Sequence, residues 1–169
     1  MSSDAHKGAQ RPVSHEQFRH ACGRFATGVA VASVVDEKGT AHGLTVSSIT
    51  SVSLDPPLIL ICLGHAITMI DAFRRAAHFG INILREQDRE LSKHFSTKGH
   101  DRFDRVAWHK GHLGVPLVDS ALAWMECEVH QRFTSGDHDI LVGRVMAARV
   151  EEGPPLIYYA SRYHKLAED

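Results

Sequence analysis

The sequence has little from which to build a disulfide framework. Its three cysteines, Cys22, Cys62 and Cys127, are odd in number and far apart. That pattern excludes a small stapled scaffold and points to a reducing compartment. No long apolar run is present; the longest are under ten residues, too short to span a bilayer. The opening dozen residues are polar and lack the apolar stretch of a secretory leader. Neither sign of charge dominates, with 19 basic against 20 acidic side chains, so there is no electrostatic footprint for nucleic acid. These absences predict a cytoplasmic protein with neither nucleic acid nor membrane among its partners. At 169 residues the chain has the length of one domain and can bury a real core. Residues 1–12 are expected to be a disordered lead-in and 13–169 the domain.

Nucleotide fingerprints are missing too. Gly23 and Gly28 are spaced loosely like a phosphate loop. No Lys-Ser/Thr follows them, and the expected order is helix then strand, the reverse of a P-loop. A Rossmann glycine fingerprint is absent. Histidine is plentiful, at 13 residues, and His109 and His112 are three apart with His94 and His100 nearby. No His-Glu-x-x-His motif or cysteine pair accompanies them, so a polar loop is expected and no metal.

What is present reads as mainly β. Ser14 with Gln17 forms a capping-box signature, and Phe18, Cys22 and Phe25 follow at helical spacing, predicting a helix over about 14–26. Val29–Val35 and residues around 40–47 flank the turn Asp36-Glu37-Lys38-Gly39 and predict a hairpin. Leu58–Leu63 reads as a buried strand, His65–Ala77 as a helix, His78–Leu84 as a short strand and Gln87–Phe95 as a second short helix. Ser96–Gly114 is long, polar and rich in Gly and His, so it reads as a loop. Over Ala121–Phe133 the period is two: Ala123, Met125, Cys127, Val129 and Phe133 face one way, Glu126, Glu128, His130 and Arg132 the other. A return strand is expected over Ile140–Val150 and a last strand over Leu156–Ala160. Strands do not alternate regularly with helices, so a barrel with Greek-key-like excursions fits better than a doubly wound sheet.

One segment carries chemistry. Six of the nine residues from Thr45 to Ser53 bear a hydroxyl, and a Pro-Pro turn then leads into the apolar Leu58–Leu63. A polar strand edge with a loop is one reading. The other is a ligand site, because convergent donors and acceptors beside an apolar wall suit a flat polar molecule. In the same way, Gly136-Asp137-His138-Asp139 reads by composition as a turn with a solvated histidine.

Several of these motifs occur together and in order: Thr27-Gly28-Val29; Gly-Leu-Thr-Val-Ser-Ser from Gly43, with Ser-Val-Ser-Leu-Asp-Pro-Pro-Leu from Ser51; Phe79-Gly80-Ile81-Asn82-Ile83-Leu84; Phe95-Ser96; and Gly136-Asp137-His138. From about Ser14 to Leu166 the chain resembles the short-chain flavin reductases, the small reductase partners of two-component flavin-dependent monooxygenases. The resemblance implies an FMN-binding split barrel, a homodimer, and an NAD(P)H:flavin oxidoreductase that passes hydride to FMN or FAD and supplies reduced flavin to a monooxygenase. It implies that Thr45, Val46, Ser47 and Ser48 line the isoalloxazine, with Ser53 and Thr27 nearby. Cys62, Leu63 and Gly64, with Thr68 opening the next helix, would hold the ribityl-phosphate side, where a helix N-terminus would suit an anion. Asn82, Phe95 and Ser96 would close the pocket, and Lys98 and Arg102 would supply cations for phosphate or adenylate. His138 would face the nicotinamide of NADH or NADPH, orienting it without acting as a base; no residue is assigned a covalent or acid–base role. The alternative is a non-catalytic flavin carrier or sensor on the same barrel.

Overall fold

The computed structural model describes residues 12–97, 99 and 102–166. Helix α1 (His15–Cys22) is followed by the short strand β1 (Thr27–Gly28) and by β2 (Ala30–Val35), β3 (Ala41–Val46), β4 (Thr50–Leu54) and β5 (Pro57–Gly64). Then come α2 (Ile70–Arg75), β6 (His78–Ile83), a 3-10 turn at Glu86–Asp88 and α3 (Arg89–Ser96). The chain ends with β7 (Trp108–Lys110), β8 (Pro116–Val118), β9 (Ala123–Ser135), β10 (His138–Val150), β11 (Ile157–Tyr159) and β12 (Arg162–His164).

Seven strands form one antiparallel sheet in the order β3-β2-β6-β9-β10-β5-β4. Its two edges, β3 and β4, are consecutive in sequence and joined by residues 47–49 alone. In a flat sheet those edges would lie about 29 Å apart, six strand spacings. The chain from Val46 to Thr50 can reach only about 14 Å. The sheet is therefore curled until its edges nearly meet. The expected barrel is open along one seam, and residues 47–49 bridge the opening.

Two apolar clusters sit on opposite faces of β2. Ala30, Ala32 and Val34 point inside the curl with Ile61, Leu63, Phe79, Ile81 and Cys127. Val31 packs outside it with Leu84, Phe95, Phe103, Val118 and Leu156. Cover on both faces explains why β2 reads as a continuous apolar run instead of alternating. Gly143 on β10 is required by the interior: a Cβ there would stand 2.3 Å from Phe79 Cζ.

Several expectations need correction. Helix α1 stops at Cys22, capped by Gly23, short of the expected 26. Its capping box forms as expected, yet it buries none of its residues, and Phe18 and Phe25 are 60% and 78% exposed. The helix expected over 65–77 is only Ile70–Arg75. The backbone amide of His65 donates instead to Asp137 O and that of Ile67 to Gly64 O, so tertiary and turn bonds displace the first helical turn. The 96–114 loop contains β7, which pairs with β8. The last strand is one arm of a β11–β12 hairpin whose turn places Ala160 and Ser161 at positive φ.

On β9 the alternation is broken by a bulge. Gln131 pairs with Val142 but Val129 with Gly143, leaving His130 extra. A bulge reverses which face later residues occupy, so Phe133 leaves the face of Cys127 and is half-exposed. Glu126 faces away from Cys127 as expected, but that side is covered: it is fully buried, and its carboxylate accepts from the amides of His112 and Leu113 at 3.0 and 2.6 Å.

Candidate functional site

The seam of the curled sheet gathers much of the hydroxyl-rich segment. Ser47 is exposed, and Ser48 and Ile49 are half-buried. Among the described residues, the amides of Ser47, Ser48 and Ile49 make no backbone–backbone hydrogen bond. Ser48 fixes the bridge in place: its hydroxyl accepts from Cys62 N at 3.0 Å and lies 3.1 Å from Cys62 O, to which it donates. A side chain thereby takes the place of one ladder rung at the edge of β5. Three backbone donors are left without a backbone partner among the described residues, beside the exposed Ser47. The polar edge of an isoalloxazine offers carbonyl and ring-nitrogen acceptors with one N–H donor, and this donor set fits it.

Strand β5 supplies the next part. Its inward residues, Ile61 and Leu63, are buried, so Cys62 and Gly64 share the opposite face. Gly64 pairs with His138 at the β9–β10 hairpin. The His138 ring lies over it, with Nε2 3.4 Å from where a Gly64 Cβ would stand. Ser48, Cys62, Gly64 and His138 thus form one connected rim. Nδ1 of His138 lies 2.7 Å from Asp137 Oδ1. With that carboxylate accepting from Nδ1–H, Nε2 is the ring nitrogen left facing Gly64. The same contact holds the Asp137 carboxyl below its usual range.

A second side of the site runs through tyrosines. Thr27 pairs with Tyr158, whose ring meets Tyr163 edge-on at 5.3 Å. The Tyr163 hydroxyl lies 2.9 Å from Ser92 Oγ, and Ser92 O accepts from Thr45 Oγ1 at 2.6 Å. Thr27 and Ser47 line a common surface cavity of about 420 Å³ with Phe25, Tyr158 and Tyr159.

The remaining expected residues are placed differently. The side chains of Val46 and Leu63 are buried in the barrel interior. Asn82 is fully buried; its Nδ2 donates to Val31 O at 3.1 Å and Oδ1 accepts from Val118 N at 2.8 Å. Phe95 is buried edge-on against Phe103 at 4.9 Å. Arg102 is 8% exposed, and its Nη1 donates to Gly43 O and Phe95 O at 2.8 and 2.9 Å. Among the described residues its Nε has no partner, and burial lowers its pKa. Asn82 and Phe95 lie at the outer core, and Arg102, bonded to Phe95 O and 3.7 Å from Met69 Sδ, joins it to the inner one. Ser96 is exposed and its hydroxyl donates to Lys93 O at 2.8 Å, closing the last turn of α3. Ser53 lies on edge strand β4, opposite Leu58. Thr68 does not open a helix: α2 begins at Ile70, so the helix-terminus argument for an anion there falls away. Lys98 lies outside the described residues. Among the described residues no His, Cys, Asp and Glu cluster could hold a metal ion, and no helix is long and apolar enough to cross a membrane.

Sequence reasoning missed Ser92, because a serine inside a helix carries no signal of its own. It also missed Asp139, His65 and Arg74 around the hairpin. The only hint was the acidic residue directly after His138.

Comparison with known proteins shows the family of the chain. Residues 22–167 match the model of the flavin reductase like domain. A flavin reductase (NADPH) of Lentzea aerocolonigenes is 40% identical over 153 residues, covering 88% of this chain and 89% of that protein. The reductase component of a 4-nitrophenol 4-monooxygenase/4-nitrocatechol 2-monooxygenase of Rhodococcus opacus is 37% identical, covering 90% and 82%. The solved structure of the Streptomyces globisporus NADH:FAD oxidoreductase SgcE6 with NAD and FAD fragments superposes with a TM-score of 0.85 at 33% identity, covering 95% of this chain and 99% of that one. The chain belongs to the flavin reductase family.

Proposed function

We propose that this protein is an NAD(P)H:flavin oxidoreductase that supplies reduced flavin to a partner monooxygenase. The observation that carries the reading is the rim itself: three amides without backbone partners at 47–49, and His138 held over Gly64 at the other end. A bound flavin would supply the hydride-accepting chemistry. The chain's own work is orientation. Residues 47–49 would hold the polar edge of the ring through their amides and the Ser47 hydroxyl, and Ser48 ties that loop to Cys62. His138 would present Nε2 to the nicotinamide carboxamide and so orient the dinucleotide. Hydride transfer needs alignment and close approach more than any protein acid or base.

The two-component relative supports the partner class. We read the chain as a homodimer because α1 buries nothing and Phe18, Phe25, Phe133, Met146 and Val150 are exposed. Sedimentation should return twice the chain mass. The enzymatic reading is tested by mixing FMN-saturated protein with NADH or NADPH under anaerobic conditions. Bleaching of the flavin absorbance is expected with at least one. Tight FMN binding without bleaching by either would leave a flavin carrier instead.

A further inference from the structure

The hairpin that presents His138 is fastened at one carboxylate. Asp139 Oδ1 accepts from Thr134 Oγ1 at 2.9 Å and stands 2.9 Å from His65 Nε2. Its Oδ2 accepts from Arg74 Nε at 2.6 Å. These donors come from three places: the end of β9, the turn after β5, and α2. The backbone reinforces the tie, since His65 N donates to Asp137 O at 2.9 Å. Asp139 is shielded, its side chain 13% exposed. Arg74 and His65 hold its carboxyl far below the ordinary carboxylate range. An Asp139 backbone shift would carry His138 with it, because the two are adjacent and both lie in the β5 ladder, opposite Leu63 and Gly64. By contrast, among the described residues the only side-chain partner of His138 is the exposed Asp137.

We propose that Asp139 is the positioning residue of the dinucleotide site: by gripping Thr134, His65 and Arg74 it fixes the height and angle of the His138 ring over Gly64. The inference rests on reading His138 as the nicotinamide contact. Asp139 pairs with the inward Leu63 and so lies on the opposite face from His138, which makes its expected effect on the dinucleotide run through that one side chain. A small displacement of an orienting group is enough to cost an order of magnitude or more.

The test compares Asp139→Asn, His138→Ala and Arg74→Gln with the parent, measuring KM for the reduced dinucleotide, kcat, and the Kd of FMN by fluorescence quenching. Asp139→Asn should raise KM about tenfold, with kcat and the FMN Kd moving less than about twofold. Arg74→Gln removes one donor from a half-exposed position on α2 and should raise KM about threefold. A purely structural role would move FMN binding together with KM. Unchanged KM in Asp139→Asn beside a raised KM in His138→Ala overturns the positioning role alone. Unchanged KM in His138→Ala overturns the nicotinamide reading beneath it. If Asp139→Asn fails to bind FMN, Arg74→Gln decides, and an unchanged KM there overturns the inference.

Discussion

The seam at residues 47–49 and the interior joint at Asn82, Phe95 and Arg102 differ in what their polar groups have for partners. At the seam, three backbone amides lack backbone acceptors and Ser47 faces outward. At the joint, the Asn82 amide bonds to Val31, Ser33 and Val118, and Arg102 donates through Nη1 to two buried carbonyls, with only its Nε left without a partner among the described residues. Both sets look alike as sequence: small polar or cationic residues beside apolar strands. The difference teaches that a polar residue with its hydrogen bonds satisfied inside the protein serves the fold, because exchanging those partners for a ligand would leave buried groups unpaired. Donors left without a protein partner at a surface seam are the ones free to serve a ligand.

Mutations should separate the two sets. The largest stability effect belongs to the joint. Asn82→Ala strips the partner from Val118 N in a fully buried site and should cost about 3 kcal/mol in urea unfolding, while the folded fraction binds FMN with unchanged Kd. Ser48→Ala sits between the sets. It removes the only side-chain tie between the seam and Cys62 and should cost about 1–2 kcal/mol in stability and also weaken FMN. Ser47→Ala acts on the seam alone, raising the FMN Kd about fivefold with Tm unchanged. The comparison breaks if Ser47→Ala destabilises the fold or Asn82→Ala selectively abolishes flavin binding.

The smallest effect is on acid sensitivity at the far end of the β2–β3 hairpin. Asp36 accepts from Lys38 N, Thr40 N and His42 Nε2, and the His42 contact leads in lowering its pKa to about 2 from an ordinary 3.8. A carboxyl with a lowered folded-state pKa stabilises above its unfolded value, and that stabilisation fades as pH falls from about 4 to about 2. Asp36→Asn should flatten the stability profile across that window. It should leave FMN binding at pH 7 alone.

How much of this could be read from the sequence follows from the range of the forces involved. The capping box at Ser14 and Gln17, the β2–β3 hairpin around Asp36 and the β5 strand are local, and each is legible from a few adjacent residues. The early end of α1 and the shortened α2 are not, because Gly23 and the pull of Asp137 on His65 act against local periodicity. The burial of Glu126 was hidden for a related reason: alternation assigns a face but not what covers it, and here the 111–113 segment lies on top. At the site, the hydroxyls of Thr45–Ser53 were visible as a cluster. Which of them stay unpaired depended on the closing of a seven-stranded sheet, a contact between edges that no short window contains. The family's motif positions likewise did not distinguish the exposed Ser47 from the inward Asn82 and Phe95.

Hydrogen–deuterium exchange with and without FMN tests the central assignment most directly. The account predicts that the amides of Ser47, Ser48 and Ile49, without backbone partners in the protein alone, exchange fast and become protected when FMN is added. Asn82 and the β6 ladder should change little. Unchanged exchange at 47–49, with new protection appearing elsewhere on the sheet, would contradict the placement of the flavin edge at the seam.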